Sequence, residues 1–430
     1  MASQLKRSLG PFALIAYGIG DILGAGIYAL IGKVAGLVGN VSWLAFVFSF
    51  VVASLTGLSY AELGSRFPRS AGASIYSMKA FRNPLLSYSI GFLVLTSGAV
   101  SMATVSHAFT GYLIAIWPGV PPWTVMFIFF LILTVINFWG IDESSLTNIF
   151  CTAVEVTGIL IVIAAGLKSL GRVDYLEMTV PAEKSSFGAF FQAGILAFYA
   201  FIGFEDIANV AEETQEPEKL MPRAIIISVT FVAVLYVLTA LAAVSVVPAR
   251  ELGGSSAPLM LVVERGFPWI PRSLFTLIAL FAVTNTALVN FIMGSRLLYG
   301  MAREGLMPSS LSRVHPRRQT PHLAIGVVAL MAMALASTGT LVILAQCNSL
   351  ILLTVFFFMN LSLMIVKLRP KEPTPVFQVP LWIPLLGGFS CIFLVFFVDR
   401  RAFATVFLFL LIGLAVYAFV RLRRRHGLQA

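Results

Sequence analysis

The chain carries little charge for its length. Only 11% of its 430 residues are Asp, Glu, Lys or Arg, whereas roughly a quarter of the residues of a soluble globular protein are charged. In addition, 59% of the residues are hydrophobic, which is more than a soluble interior of this size can bury. The composition therefore excludes a soluble protein and predicts an integral membrane protein.

Cysteine is scarce as well. Cys151, Cys347 and Cys391 lie within or beside apolar segments at no metal-ligand spacing, so we expect neither a disulfide framework nor a metal site. Lys6 and Arg7 lead into a long apolar segment without a small-residue cleavage site, which argues against a cleavable signal peptide. No nucleophile with a nearby base is visible, so we expect no enzyme, no catalytic residues and no cofactor.

The net charge of +10 does not indicate a nucleic-acid partner. No basic run lies beside aromatic residues that could stack on bases, and the positive residues lie in loops where anionic lipid headgroups would meet them. Most of the 29 Lys and Arg residues fall on one side of the bilayer if both termini are cytoplasmic. We therefore predict both termini in the cytoplasm of a multi-pass protein of the plasma (inner) membrane.

Long hydrophobic runs dominate the sequence. A helix that crosses a bilayer needs about 20 residues, so the apolar residues suffice for about twelve crossings. We predict an all-α membrane protein whose helices lie near residues 11–36, 41–64, 85–115, 123–139, 146–168, 188–212, 223–247, 271–303, 322–343, 345–367, 382–398 and 403–421. We also predict a short surface helix at residues 256–266.

The first predicted helix is interrupted. It contains Gly18, Gly20, Gly24 and Gly26 together with the carboxylate of Asp21, at the depth where a spanning helix is normally most apolar. Glycines in membrane helices also allow close helix packing, so packing alone is the alternative interpretation.

The sixth predicted helix shows the same kind of interruption. Gly203 is followed by the adjacent acids Glu205 and Asp206 inside the span. Interrupted segments at matching positions of two halves point to a transporter site in folds built from inverted repeats. We therefore predict breaks in helices one and six.

Unwound backbone in a membrane is tolerated only where it lines a cavity or is buried in protein. The amides of Ala25 and Gly26 would offer partial positive charge to a carboxylate. The carbonyls of Ile22, Tyr199 and Ile202 would offer partial negative charge to an amine. This arrangement predicts recognition of an α-amino acid without any basic side chain.

Four acids lie inside the apolar spans, and each is a functional candidate because an ionised carboxylate there costs several kcal/mol. Asp21 and Glu155 lie near the midplane, and we expect them to face each other and share one proton. Glu205 and Asp206 lie in the inner half, where they either line a solvated vestibule or favour cationic substrates. In the sodium-coupled alternative, Asp21, Glu155 and Thr286 would supply oxygen ligands.

Two further polar features are ambiguous. His107 in the third helix is best interpreted as a packing residue. Thr284, Asn285 and Thr286 form a polar patch in the eighth helix, and Ser and Thr in such helices often bond only to their own backbone. An ion-site role and a packing role therefore both stay open for this patch.

Several motifs together resemble those of one transporter superfamily. They are residues 19–31 with Gly24, Ala25 and Gly26, residues 201–213 (FIGFEDIANVAEE), residues 60–63 (YAEL), residues 296–303 (RLLYGMAR), Met307–Pro308 and His315–Pro316. Over residues 5–370 the chain resembles the amino acid, polyamine and organocation (APC) superfamily of permeases.

The resemblance implies a core of five plus five inverted-repeat helices that works by alternating access. Residues 1–370 would form this transport core, and residues 371–430 would add two transmembrane helices and a basic tail. The implied substrate site comprises Ile22, Ala25, Gly26, Tyr199, Phe201 and Ile202, with Phe201 at or near an aromatic gate. Glu205 is our further candidate for substrate binding, as a wall of the pocket. The candidates for proton or ion coupling are Asp21, Glu155, Asp206 and Thr286.

Glu155 departs from the pattern of this superfamily. Several proton-coupled or ion-independent relatives carry a lysine in the fifth helix where this chain has Glu155, so the charge is reversed. Coupling through this acid is therefore the open question of the mechanism.

We thus predict a secondary active transporter that moves amino acids and is coupled to protons. The alternative is a sodium-coupled or uncoupled exchanger of amino acids or polyamines. A channel or a receptor-like sensor is the competing class, and a membrane enzyme is the least favoured one.

Overall fold

A computed structural model describes residues 9–68, 72–139, 145–181, 185–303, 306–316, 318, 320–369 and 374–425. Across these ranges the chain is nearly all helical and forms no sheet. Its extended pairings are two isolated bridges, Leu9 with Thr214 and Gly39 with Met178. The prediction of an all-α protein is confirmed.

Sixteen α-helices form the fold of the described ranges. The first eight are α1 (Pro11–Leu23), α2 (Ala25–Val38), α3 (Ser42–Arg66), α4 (Gly72–Phe81), α5 (Pro84–Ile116), α6 (Pro122–Trp139), α7 (Ser145–Gly166) and α8 (Ser186–Tyr199). After a 3-10 helix (Phe204–Glu213) follow α9 (Pro217–Val246), α10 (Ala249–Gly254), α11 (Pro258–Gly266), α12 (Arg272–Arg303), α13 (His322–Thr338), α14 (Leu341–Lys367), α15 (Trp382–Val395) and α16 (Arg400–Arg425).

Ten helical segments in the described ranges are long and apolar enough to cross a membrane, if each broken helix counts once. Two shorter apolar helices, α13 with 17 residues and α15 with 14, stand where the ninth and eleventh spans were predicted. Their lengths are about 26 and 21 Å, less than the roughly 30 Å of a hydrocarbon core. A multi-pass membrane protein is confirmed, whereas twelve crossings, cytoplasmic termini, the inverted repeat and the division at residue 370 stay predictions.

Capping residues fix where several helices begin. The Asn83 side chain accepts from the amides at the start of α5, directly before Pro84. Ser185 caps α8 and Thr340 caps α14 in the same way. These side chains satisfy amides that have no partner within the helix.

The broken first helix lies in the centre of the bundle. In its apolar window 78% of the residues are buried inside the protein, against 11% for α16. Around it, α1 packs on α7 and α9, and α2 packs on α8 and α10. The outer helix α16 exposes its apolar side chains, as expected of a surface that faces lipid.

Two short helices accompany the long ones. Helix α4 lies outside the helices predicted from the sequence. The helix predicted for residues 256–266 is present as α11, whose Leu259 and Val262 are fully buried. Its apolar residues recur on one face, which packs against α7 and α2.

Candidate functional site

The first helix breaks at Gly24. Helix α1 ends at Leu23, Gly24 adopts φ −41° and ψ −139°, and α2 begins at Ala25. A Cβ at Gly24 would overlap the hydroxyl oxygen of Thr286 on α12, so only glycine fits here. The Ala25 amide donates to that same hydroxyl oxygen at 3.1 Å.

The sixth predicted helix breaks just after Tyr199. Residues 200–203 form a turn, Gly203 has φ +130°, and the 3-10 helix starts at Phe204. This φ favours glycine, and a Cβ at Gly203 would lie 2.9 Å from the carbonyl oxygen of Asp21. The interruptions predicted at Gly24 and Gly203 are both confirmed.

The two breaks lie against each other. A Cβ at Gly26 would come within 2.5 Å of the Cα atom of Ala200, so the start of α2 touches the end of α8 backbone to backbone. The hydroxyl of Tyr236 on α9 lies 2.7 Å from the carbonyl oxygen of Ile22 and 2.9 Å from that of Ala200. Tyr236 thereby contacts both breaks.

A small cavity of about 30 Å³ lies between the breaks. The lining residues at or beside the breaks are Ile22, Ala25, Gly26, Tyr199, Ala200, Ile202 and Gly203. The other lining residues are Asp21, Ser101, Asp206, Thr286 and Asn290. Its charged lining residues are therefore acidic, and its volume is well below that of a typical ligand-binding cleft.

Five of the predicted substrate-binding residues line this cavity: Ile22, Ala25, Gly26, Tyr199 and Ile202. Their positions agree with a binding surface made of main-chain groups. Their individual roles toward a substrate stay predictions.

Phe201 and Glu205 are not among the lining residues. The ring of Phe201 is fully buried and packs on Tyr236 and Phe50, with centroid distances of 5.2 and 6.3 Å. The Glu205 carboxylate accepts from the Gly203 amide at 2.9 Å. Both side chains therefore pack beside the second break without lining the cavity.

The predicted coupling residues separate into two places. Asp206 accepts from the Asn209 amide at 2.9 Å and lines the same cavity as Asp21. Sequence analysis placed Asp21 opposite Glu155, and Glu155 is not among the residues that line this cavity.

Glu155 lies on α7 and is fully buried. Its Oε1 accepts from the Asn285 amide at 3.0 Å, while its Oε2 has no hydrogen-bond partner among the described residues. Tyr28 donates to the main-chain carbonyl of Glu155 at 3.0 Å. Within the described ranges no Lys or Arg forms an ion pair with this carboxyl group.

The remaining polar candidates bond to main-chain groups. His107 Nε2 lies 3.0 Å from the carbonyl oxygen of Ala336, which connects α5 to α13 and fits a packing role. Thr284 donates to the carbonyl of Leu280 at 2.6 Å. In the described part of the chain, no group of three His, Cys, Asp or Glu side chains is placed to hold a metal ion.

Sequence reasoning missed Tyr236 and Ser101. The Ser101 hydroxyl lies 3.3 Å from the Tyr199 hydroxyl at the cavity. Tyr236 is fully buried within a long apolar helix. A buried tyrosine hydroxyl usually has a hydrogen-bond partner, and this was the available signal.

Sequence reasoning also missed an ion cluster around Glu62, which it noted only as part of a motif. This fully buried carboxylate accepts from Arg66 at 2.7 Å, from Lys367 at 2.8 Å and from the Val379 amide at 2.7 Å. The cluster joins the end of α3 to the end of α14 and to the segment before α15. Glu62 thus has charged partners that Glu155 lacks.

Comparison with known proteins gives a family match over nearly the whole chain. The model of the family described as amino acid permease matches residues 9–419. The branched-chain amino acid permease BcaP of Bacillus subtilis is 30% identical over 96% of this chain and 93% of its own length.

Eukaryotic transporters are similar as well. Cationic amino acid transporter 4 of Mus musculus is 30% identical over 87% of this chain and 62% of its own length. Cationic amino acid transporter 9, chloroplastic, of Arabidopsis thaliana is 29% identical over 73% of this chain and 58% of its own length. The family match over residues 9–419 includes the segments that form the cavity.

Proposed function

Because the chain belongs to the amino acid permease family of the APC superfamily, we propose that it moves amino acids across the plasma (inner) membrane by alternating access. The observation that supports this most is the cavity between the two helix breaks, which is lined by residues of both breaks. Main-chain dipoles of broken helices are suited to a small zwitterion.

The substrate carboxylate would bind at the start of α2. The amides of Ala25 and Gly26 lie at the positive end of that helix dipole. The Ala25 amide now donates to Thr286, so the carboxylate would replace the hydroxyl as its acceptor. Thr286 could then donate its own hydrogen to the substrate.

The substrate amine would bind the carbonyls of Ile22, Tyr199 and Ile202. The acidic pair of Asp21 and Asp206 lies at the same cavity and adds negative charge on this side. Phe201 and Glu205 would act on the substrate indirectly, by fixing the second break.

We propose that Glu155 carries the coupled proton. A buried carboxylate without a cation costs several kcal/mol when it is ionised, and Glu155 is fully buried with one oxygen that has no partner among the described residues. Its partner Asn285 is adjacent in sequence to Thr286, which touches the first break. Protonation of Glu155 would therefore act, through Asn285 and Thr286, on the place where the substrate carboxylate binds.

Two alternatives rest on the same residues. Oxygen atoms of Thr286, Asp21 and Glu155 could hold sodium instead of a proton. The acidic pair at the cavity could also accept a polyamine as an exchange substrate.

Proteoliposomes test the proposed function. Purified protein is given radiolabelled L-leucine, L-lysine or putrescine, with an inward proton gradient and with sodium replaced by choline. We expect saturable amino acid accumulation that follows the proton gradient and is unchanged in choline. If neither amino acid accumulates under any gradient, the proposal is wrong; dependence on sodium, or uptake of putrescine, would favour the respective alternative.

A further inference from the structure

Tyr236 contacts two carbonyls that have lost helical partners. Ile22 is the penultimate residue of α1, and Ala200 directly follows α8. The last carbonyls of a helix have no partner within it and need another donor. The Tyr236 hydroxyl lies within 2.9 Å of both carbonyl oxygens, so one side chain of α9 serves both breaks.

Packing fixes the position of this hydroxyl. Tyr236 is fully buried, and its ring makes edge contacts with Phe46 and Phe201 at centroid distances of 5.8 and 5.2 Å. Helix α9 is bonded to α1 a second time, because Ser228 donates to the carbonyl of Ile15 at 3.2 Å. Helix α9 therefore holds the two breaks at a fixed separation.

The hydroxyl has one hydrogen for two acceptors. It can donate to only one of the two carbonyls at a time, and both Ile22 and Ala200 line the cavity. An ammonium group brings three N–H donors. When it enters the cavity, it can donate to one of these carbonyls while the hydroxyl donates to the other.

We propose that Tyr236 is a positioning residue of the substrate site, whose hydroxyl holds the carbonyls of Ile22 and Ala200 ready for an ammonium group and releases one of them when the amine binds. This inference rests on the proposed function, since it requires an amine in this cavity. It assigns to α9 a part in recognition that its apolar sequence does not indicate.

Tyr236→Phe removes the hydroxyl and keeps the ring. One hydrogen bond between neutral groups is worth about a two- to tenfold change in a binding constant. We expect the KM for L-leucine or L-lysine, whichever the wild type accumulates, to rise about fivefold, with a maximal rate per folded protein within about twofold of wild type.

Tyr112→Phe is the matched control. Tyr112 is equally buried and donates to the carbonyl of Tyr28 at 2.9 Å, and Tyr28, unlike Ile22 and Ala200, does not line the cavity. Its removal should lower the apparent melting temperature about as much as Tyr236→Phe and leave KM within about twofold.

Inhibition by a substrate analogue that lacks the α-amine distinguishes a role in amine binding from a general loss of stability. The inhibition constant of 4-methylpentanoate or 6-aminohexanoate, the respective analogues without the α-amine, should stay within about twofold in Tyr236→Phe. An unchanged KM for the amino acid, an equal rise for the analogue, or a Tyr236→Phe protein that fails to fold while Tyr112→Phe folds would overturn the inference. If the wild type itself transports no amino acid, the proposed function fails instead.

Discussion

Two buried glutamates in this protein have opposite surroundings. Glu62 accepts from Arg66, Lys367 and a main-chain amide, whereas Glu155 has one amide donor from Asn285 and an oxygen that has no partner among the described residues. Both are fully buried. The first carboxylate is compensated as a structural charge must be, and the second has no such compensation within the described ranges.

We expect one glutamate to be required for stability and the other for transport. A paired buried charge should be required for the fold, because its removal leaves its partners uncompensated. An unpaired buried acid should be dispensable for the fold and required for transport. The following substitutions test each side of this difference.

The largest expected effect on stability belongs to Glu62→Gln. It leaves Arg66 and Lys367 without their carboxylate, and breaking a buried ion pair costs about 3 to 5 kcal/mol. Thermal unfolding in detergent should show a large fall in the apparent melting temperature. The exposed Glu177→Gln, whose carboxylate accepts from Asn40, is the control; equal melting of both variants would contradict the structural role of Glu62.

Gly24→Ala tests the cavity side through sterics. The added Cβ would overlap the Thr286 hydroxyl, so we expect amino acid uptake to fall at least about tenfold. Gly300→Ala on α12 is the control, because a Cβ there meets nothing within 4 Å. Thr286→Ala in the Gly24→Ala background should restore part of the uptake; uptake at the wild-type level in Gly24→Ala would refute the close approach.

Glu205→Gln should have the smallest effect. Glu205 contributes one acceptor oxygen to the Gly203 amide, and glutamine retains such an oxygen. We expect uptake within about twofold of wild type and a change in stability below about 1 kcal/mol. Glu205→Ala, which loses the acceptor, should reduce uptake more; a complete loss in the glutamine variant would show that the charge itself is needed.

The sequence permits prediction of the breaks because glycine and carboxylates stand out within apolar helices. Gly24 and Gly203 are such positions, and the main-chain groups beside them line the cavity. The positions of Phe201 and Glu205 were not predictable in the same way. In a turn or a 3-10 helix, the spacing of an α-helix no longer tells which side chain faces the cavity.

Partners that are distant in the chain were also beyond prediction. Tyr236 bonds the carbonyl of Ile22, and Lys367 pairs with Glu62, across more than 200 intervening residues. Hydropathy locates each helix and does not tell which helices touch. The sharing of one cavity by Asp21 and Asp206, without Glu155, follows from the same limit, since similar depth does not define a contact.

The central claim is that Glu155 carries the coupled proton, and Glu155→Gln tests it most directly. Glutamine retains an oxygen that can accept from Asn285, so the melting temperature should change little. In proteoliposomes containing a pH-sensitive dye, amino acid addition should drive proton uptake in the wild type and none in Glu155→Gln, while exchange of labelled for unlabelled amino acid continues. Substrate-driven proton uptake at the wild-type rate in Glu155→Gln would contradict the account.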